Sequence, residues 1–241
     1  LKTAGYKIAH FDSPDMRGID VALLYRNTDN GFSTNDNGRP IKLRFPLEAA
    51  YTSRDILHIK GKVGGKNAKD NFHIFVNHWP SRYEGLEITE PRRKQAAKTL
   101  KWAVDSIRQA EKNPGIVIMG DLNDELHNIS IADILEVEKS LKKAPGSDLF
   151  SVLYKLYWKG LGTLNFRGEW QMLDHIFVSN SLVAGSGKVK ADLESSTIFN
   201  EKWVMYHHKF DGWKPSRSYG GTRYYGGYSD HLAVYVDLVV R

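Results

Sequence analysis

The stretch from Gly115 to Asp124 constrains the fold most; it reads Gly-Ile-Val-Ile-Met-Gly-Asp-Leu-Asn-Asp. Four apolar residues follow a Pro-Gly pair and run into a glycine and polar side chains, the pattern of a buried strand that stops at a site. A strand buried on both faces is rigid, so Asp121 and Asn123 would be held where rigidity serves chemistry. The alternative is a strand followed by a turn, because Asp and Asn also cap their own backbone.

A second strand and a helix are expected to lead into this one. Residues 71–78 alternate with period two, and Thr89 is a good N-cap before Glu90 and Pro91. The next residues place apolar side chains on one helical face until Asn-Pro-Gly at 113–115 stops the helix. We therefore expect a strand, helix and strand crossover. The basic residues of this helix are expected to form a solvated face: Arg92, Arg93, Lys94, Lys98, Lys101 and Arg108.

The remaining pattern predicts many strands, few helices and no linker. Strands are expected at 6–11, 19–25, 41–46, 55–63, 161–169, 171–179 and 231–240, with hairpin turns at Gly-Gly-Lys-Asn (64–67) and Arg-Gly (167–168). Short helical segments are expected at 130–137 and 147–158, a turn or short helix at 180–187, and loops at 28–40 and 210–227. Residues 1–241 are thus expected to form one α/β domain of two packed mixed β-sheets flanked by helices, a four-layer α/β/β/α sandwich.

Composition narrows the class of protein without identifying a partner. The chain has 34 Lys and Arg against 28 Asp and Glu, giving +6, which suits anionic partners. It has no cysteine, which excludes disulfides and thiolate zinc sites. No apolar run reaches the roughly 18 residues that a membrane span needs. We expect a monomer.

Several polar residues share one position, the end or mouth of an apolar strand. His78 ends one strand, Asp121 another, Asp174 lies in a third, and Asp230 with His231 opens the last. Taken alone, His78 is more typical of a structural histidine, whereas Asp230 with His231 suits a turn and a site equally well. Asp174 is different, because an ionised carboxylate in an apolar strand must be paired or hydrogen-bonded.

Together these residues suit hydrolysis of a phosphodiester. That reaction needs a hard divalent ion, a positioned water and help for the leaving oxygen. Carboxylates without cysteine favour Mg²⁺ or Mn²⁺ over zinc. An Asp and His pair supplies an imidazole whose tautomer the carboxylate fixes.

Five motifs in order resemble the endonuclease/exonuclease/phosphatase superfamily over nearly the whole chain. They are Gly-Ile-Asp-Val-Ala-Leu-Leu-Tyr (18–25), Asn-His-Trp-Pro-Ser-Arg (77–82), Gly-Asp-Leu-Asn-Asp (120–124), Leu-Asp-His-Ile (173–176) and Ser-Asp-His-Leu (229–232). That superfamily includes pancreatic-type deoxyribonucleases, apurinic endonucleases, inositol polyphosphate 5-phosphatases and neutral sphingomyelinases. The sequences of these motifs are most similar to those of bacterial members.

The resemblance implies catalytic roles for four of these residues. Asp121 matches the carboxylate that orients or deprotonates the attacking water, and Asn123 matches the residue that fixes it and touches the phosphate. Asp174 matches the partner of His231, which contacts the scissile phosphate or serves as the base. Members of this family differ in which of these residues is given the role of base and which the role of acid.

It also implies roles at the edge of the site. His78 matches the histidine near the leaving oxygen, and Asp230 resembles a carboxylate on the metal side. Arg82 and Tyr25 are candidates for substrate phosphate contacts.

One departure from the family pattern affects the metal. Family members begin with a strand carrying an Asn and a strand whose Glu is the principal metal ligand, and both precede anything in this sequence. The chain starts at Leu1 without Met. We therefore expect it to be N-terminally incomplete and, without the Glu, impaired in metal binding and turnover. Bacterial proteins of this wording are often exported, periplasmic or secreted.

The sequence is compatible with several classes of substrate. A nuclease is favoured by the net charge and by Tyr and Arg in the loop 214–228, although its glycines also suit a flexible lid. A small phosphodiester, a nucleotide, a phosphomonoester or a phospholipid head group are alternatives, as is a non-catalytic binding protein that keeps the fold. The last is disfavoured because the whole polar set is present.

Overall fold

The computed structural model describes residues 4–26, 31–34, 38–48, 51–64, 71–138, 148–185 and 187–241. Its helices are α1 (Leu86–Ala110), α2 (Tyr154–Trp158) and α3 (Asn180–Ala184). The first nine strands are β1 (Tyr6–His10), β2 (Ala22–Arg26), β3 (Phe32–Thr34), β4 (Ile41–Leu43), β5 (Ile56–Val63), β6 (Phe72–His78), β7 (Gly115–Asp121), β8 (Val137–Glu138) and β9 (Leu149–Ser151). The others are β10 (Leu164–Phe166), β11 (Glu169–Gln171), β12 (Asp174–Ser179), β13 (Val189–Ile198), β14 (Met205–His208), β15 (Gly212–Pro215), β16 (Tyr219–Gly220), β17 (Arg223–Tyr224) and β18 (Val234–Val240).

A large mixed sheet forms the centre of the molecule. Its strands follow the order β3-β5-β6-β7-β12-β9-β8, and β4 pairs with β5. Strands β6 and β7 are parallel neighbours joined through α1, which confirms the expected crossover. β12 runs antiparallel to β7 on its other side, so β7 lies in the middle of the sheet.

Hydrophobic cores lie on both faces of this sheet, one on the helix face and two on the opposite face. Helix α1 packs on one face, where alternate residues of β7 such as Ile116 and Ile118 meet Leu100 and Val104 of the helix. The opposite face is covered by two antiparallel ribbons, β1-β2 and β13-β18. The α/β sandwich is confirmed, and its second layer consists of two ribbons.

Helix α1 begins earlier than the sequence predicts. It starts at Leu86 after Gly85, and Thr89 lies inside it rather than capping it. The Thr89 hydroxyl donates to the Gly85 carbonyl at 2.7 Å, because a buried threonine inside a helix can satisfy its hydroxyl on the preceding turn. None of the helices in the described ranges is long and apolar enough to cross a membrane.

Several other predictions on element type are corrected. Residues 171–179 do not continue the hairpin at 167–168: β10 pairs only with the short β11, and β12 joins the large sheet. The region predicted as helix at 147–158 holds β9 before α2, and 130–137 holds a single π-helical turn (Ser130–Ile134) before β8. The pairing of β5 with β6 fits a hairpin, although its turn residues 65–67 lie outside the described residues. Strand β13 has no counterpart among the predicted elements.

Candidate active site

Strand register places three of the expected site residues side by side. His78 on β6 is the parallel partner of Asp121 on β7, and Asp121 is the antiparallel partner of Asp174 on β12. The His78 Nε2 atom lies 3.5 Å from Asp121 Oδ2. All three side chains belong to the sheet face that the ribbons cover, since they alternate with residues that face α1. The site therefore lies where the three central strands of the sheet end or begin, at one edge of the sheet.

Gly120 allows this close approach. Its φ is +130°, and a Cβ there would lie 1.9 Å from the carbonyl oxygen of Asn77 on β6. No side chain fits that space, and L-residues rarely adopt that backbone conformation. The glycine before Asp121 is thus required by the packing of β6 against β7.

Asn123 holds Asp121 through two hydrogen bonds. Its backbone N–H donates to Asp121 Oδ1 at 2.8 Å, and its side-chain amide donates to Oδ2 at 3.1 Å. The first bond is an Asx turn, so the turn interpretation of the sequence and the site interpretation both apply. Asn123 itself has φ +50°, which asparagine tolerates better than most residues.

His78, Asp121 and Asp174 form a row across the sheet. The segment just before the last strand adds a second histidine to this row. His231, three residues before β18, contacts Asp174 with Nδ1 2.6 Å from Oδ2. This bond leaves the Nε2 atom of His231 available to a substrate. The expected Asp174 and His231 pair is present with a separation of 57 residues along the chain.

Burial and charge move the three titrating groups in different directions. Burial, together with the neighbouring Asp174 carboxylate, raises the pKa of Asp121. Burial alone would lower the pKa of His231, but the hydrogen bond and charge of Asp174 raise it to about 9. Burial and the Arg54 charge lower the pKa of His78 to about 3. At neutral pH His231 is therefore a cation and His78 a neutral imidazole.

Arg54 supports the site from beneath and was missed by sequence reasoning. Its side chain is 1% exposed and donates to the carbonyls of His78 at 3.1 Å and Trp79 at 2.6 Å. It also pairs with Asp15 at 3.0 Å. Burial would raise the pKa of Asp15, but hydrogen bonds from Arg17 and Arg54 lower it to about 2. The Trp79 carbonyl also accepts the side-chain amide of Asn123, so Arg54 is one step from the Asp121 clamp.

Thr163 is a second support that the sequence did not reveal. Its hydroxyl oxygen accepts the backbone N–H groups of Leu173 and Asp174, both at 3.2 Å. Its carbonyl accepts the N–H of Leu232 at 2.8 Å. This buried residue therefore joins the segments that carry Asp174 and His231.

Arg82 has a different environment from the expected phosphate contact. Its guanidinium donates to the Asn123 carbonyl at 2.6 Å and to Asn128 at 2.9 Å, and it pairs with Asp124 at 3.2 Å. Arg93 lies 2.7 Å from the same buried carboxylate. Arg93 is fully buried, so the expectation that it belongs to a solvated helix face is wrong. Both arginines hold the loop that follows β7.

Tyr25 is buried in the structure, and its role as a phosphate contact remains a prediction. It is 6% exposed, its ring packs edge-on against Phe32, and a hydrogen bond joins its hydroxyl to Thr34. Its place on the sequence motif reflects core packing under the β1-β2 ribbon. Asp230 is exposed, and its charge contributes to the raised pKa of His231. Its role as a metal ligand remains a prediction.

The row offers a donor set that fits a divalent cation. Asp121, Asp174 and His231 each place one candidate ligand atom so that all lie within 4.8 Å of one another. A protonated His231 cannot bind a cation, so the two carboxylates are the ligands that this group offers at neutral pH. Two adjacent carboxylates repel each other, and a hard cation relieves that repulsion. Asp230 lies outside this group as it stands.

The geometry agrees with a match to a known family. The model of the "Endonuclease/Exonuclease/phosphatase family" matches residues 1–240. The chain belongs to this family. Its members are hydrolases that act on phosphate esters. A comparison with curated protein sequences finds no match.

Solved structures share the fold at low sequence identity. The human Nocturnin catalytic domain with bound sulfate is 16% identical with a TM-score of 0.58, covering 100% of this chain and 74% of that one. A mannosyl-6-phosphatase from Bacteroides thetaiotaomicron is 17% identical with a TM-score of 0.59, covering 98% and 77%. Truncated TDP2 from Caenorhabditis elegans is 14% identical with a TM-score of 0.59, covering 99% and 77%. At these identities the likeness establishes the fold.

Proposed function

We propose that this member of the Endonuclease/Exonuclease/phosphatase family is a divalent-metal-dependent phosphodiesterase. The observation that carries the proposal is the row of His78, Asp121 and Asp174 in strand register, completed by His231. A binding protein that had only kept the fold would have no need for two half-buried, adjacent carboxylates with an imidazole hydrogen-bonded to one of them, because partly desolvated like charges are costly to hold together.

We assign to Asp121 the role of orienting or deprotonating the attacking water. The position of Asp121 at the end of β7, between His78 and Asp174, supports this role; burial and Asp174 raise the pKa of its carboxyl, and a bound cation would lower that pKa again. The two hydrogen bonds from Asn123 fix its orientation, so the attacking water would be held at one position.

We assign to His231 the contact with the scissile phosphate. Because its pKa is raised to about 9, it is an imidazolium at neutral pH and a better partner for a phosphoryl oxygen than a base. Asp174 holds the Nδ1 side and leaves Nε2 to the substrate. His78, neutral beside Asp121, lies at the other end of the row, where we place the leaving oxygen.

A divalent cation such as Mg²⁺ or Mn²⁺ would be held by Asp121 and Asp174, with Asp230 as a further candidate, and would supply charge neutralisation to the phosphate. This assignment rests on the donor set and on the family.

The test is turnover of bis-p-nitrophenyl phosphate by the full-length protein with Mg²⁺ and with EDTA. Asp121→Asn should lower kcat by roughly 100-fold or more while the fold is retained. Asp133→Asn, at an exposed aspartate of the π-helical turn, is the matched control and should leave the rate unchanged. Equal rates for both variants, or no effect of EDTA, would refute the proposal. Faster turnover of p-nitrophenyl phosphate than of the diester would favour a phosphomonoesterase, the activity that the bacterial neighbour's name gives.

A further inference from the structure

The segment 202–228, called here the aromatic segment, concentrates exposed rings and positive charge next to the site. It carries eight Trp, Tyr and Phe residues, and all eight are exposed. Thirteen aromatic side chains are exposed in the described part of the chain, so more than half of them lie here. The segment has five Lys or Arg and one acidic residue, which gives it +4 of the chain's net +6.

Hydrogen bonds of the backbone and of the Ser218 hydroxyl hold this segment together. It consists of a 3₁₀ helix (Lys202–Val204) followed by two short ribbons, β14-β15 and β16-β17. The Ser218 hydroxyl donates to the carbonyls of Gly227 at 3.0 Å and Tyr228 at 2.9 Å, which closes the second ribbon. Gly227 passes so near Ser216 that a Cβ would lie 2.2 Å from its carbonyl oxygen. The rings thus project from a fixed frame into solvent.

The same frame fixes the turn that carries the catalytic histidine. The Ser216 carbonyl accepts the N–H of Tyr228 at 2.6 Å and of Ser229 at 3.1 Å. The Ser229 hydroxyl then accepts the N–H of His231 at 3.1 Å. Tyr228 is three residues from His231, so their Cα atoms are at most about 11 Å apart.

The rings form pairs that leave faces open. Trp203 and Tyr228 meet edge to face with centroids 5.1 Å apart, and Tyr219 and Tyr224 lie 5.1 Å apart at a 50° angle. The Arg223 guanidinium lies 5.0 Å from the Tyr225 ring centroid. Trp203 and Tyr228 remain 59% and 65% exposed. Exposed aromatics interleaved with cations are the pattern of sites that stack unpaired bases and neutralise phosphates.

We propose that the aromatic segment is a stacking surface for the bases of single-stranded nucleic acid whose scissile phosphate lies at His231. The proposal rests on the proposed function for the position of that phosphate. Charge complementarity favours this occupant, because a nucleic acid strand is a polyanion with a flat apolar ring on every unit. An anionic membrane fits less well, since the segment's aliphatic side chains Val204 and Met205 pack against the core rather than project.

The test is binding of a short fluorescent single strand, measured by anisotropy in EDTA so that hydrolysis does not contribute. An oligomer of the same length built from abasic units carries the same phosphates without bases. We expect the base-bearing strand to bind at least tenfold more tightly than the abasic one, and more tightly than a duplex. Tyr228→Leu and Tyr224→Leu should each weaken binding roughly 5- to 150-fold, the loss that one stacked base predicts.

Two further variants separate stacking from charge. Trp102→Leu removes an aromatic ring that is 68% exposed on α1 and should leave binding unchanged. Arg223→Gln should weaken the base-bearing and abasic strands alike and reduce the salt dependence of binding by about one phosphate.

The proposal is refuted if the abasic strand binds as tightly as the base-bearing strand, or if neither tyrosine substitution changes the affinity. Tighter binding to phosphatidylserine vesicles than to the single strand would also overturn it and indicate a membrane-facing surface. Because binding is measured without turnover, an Asp121→Asn variant that keeps its activity would refute the proposed function and leave this result unaffected.

Discussion

Replacement of Arg54 by methionine tests whether the support beneath the row matters for chemistry as well as for folding. The substitution keeps the volume approximately and removes three donations, to the carbonyls of His78 and Trp79 and to Asp15. Removal of one partner from a buried ion pair costs about 3–5 kcal/mol, so we expect that loss in the free energy of unfolding. Because total stability is about 5–15 kcal/mol, the variant should still fold at low temperature.

The catalytic effect follows from position. Arg54 holds the backbone at the end of β6, and the Trp79 carbonyl that it contacts also holds Asn123. A displacement of about 1 Å at the reacting groups costs on the order of 100-fold in rate, so kcat should fall by about that factor with little change in KM. The assay is diester turnover at a temperature where urea titration shows the variant to be folded.

Arg17→Met is the matched control, because Arg17 pairs with the same Asp15 but is 61% exposed. Because the Arg17 end of this pair is mostly in water, its removal should cost less stability than removal of Arg54, roughly 1 kcal/mol, and no loss of kcat is expected. Arg54→Lys restores the charge with a different geometry, so stability should recover more than kcat does. A folded Arg54→Met variant with kcat within a few-fold of the wild type would refute a positioning role and leave only a structural one.

Three other changes test single contacts. The pKa of Asp15 is lowered to about 2 in the folded protein, against about 4 in the unfolded chain, so the ionised carboxylate stabilises the fold above pH 4. As the pH falls from about 4 to about 2, the wild type should lose roughly 2 kcal/mol in free energy of unfolding. Urea titrations of Asp15→Asn over the same pH range should not show this loss. Gly120→Ala should cost roughly 3 kcal/mol or more in thermal unfolding because its Cβ meets the Asn77 carbonyl, whereas alanine at Gly160, where the space is open, should cost about 1–2 kcal/mol. Thr163→Val should cost about 1–3 kcal/mol and lower kcat by releasing the Asp174 backbone, and Thr163→Ser should restore kcat; an unchanged kcat in the folded valine variant would contradict this role.

Local patterns predicted the part of the fold that local forces determine. The strand at 115–121, its partner at 71–78 and the helix between them follow from hydrophobic periodicity and stop signals. The polar ends of those strands then had to lie at one edge, because β6 and β7 are parallel. The pairing of His231 with Asp174 was anticipated through the family resemblance, since nothing in the sequence between them points to it.

Long-range contacts determined what sequence reasoning missed. Strand β13 was absent from the prediction because its partner is β18 at the end of the chain and its own residues alternate poorly around a bulge. Arg54 and Thr163 are ordinary residue types whose role depends on backbone groups that only the tertiary fold brings near them. Arg93 was assigned to solvent because a basic residue on a helix usually lies there, and a buried carboxylate at Asp124 reverses that preference.

The charges of the row and of the aromatic segment suggest separate roles in substrate binding: the row binds the scissile phosphate, and the segment attracts the strand. When Asp121 is ionised, the row holds two carboxylates, Asp121 and Asp174, against one cation, His231, because His78 is neutral at pH 7. That balance does not attract a phosphate by itself, which is the electrostatic reason to expect a bound cation there. The aromatic segment carries +4 just beside it and would supply the attraction at longer range. Added salt screens exposed charges more than buried ones, so raising ionic strength should raise KM for a single-stranded substrate while kcat changes little. A kcat that fell in parallel with binding would mean that the segment takes part in the chemical step and not only in capture of the strand.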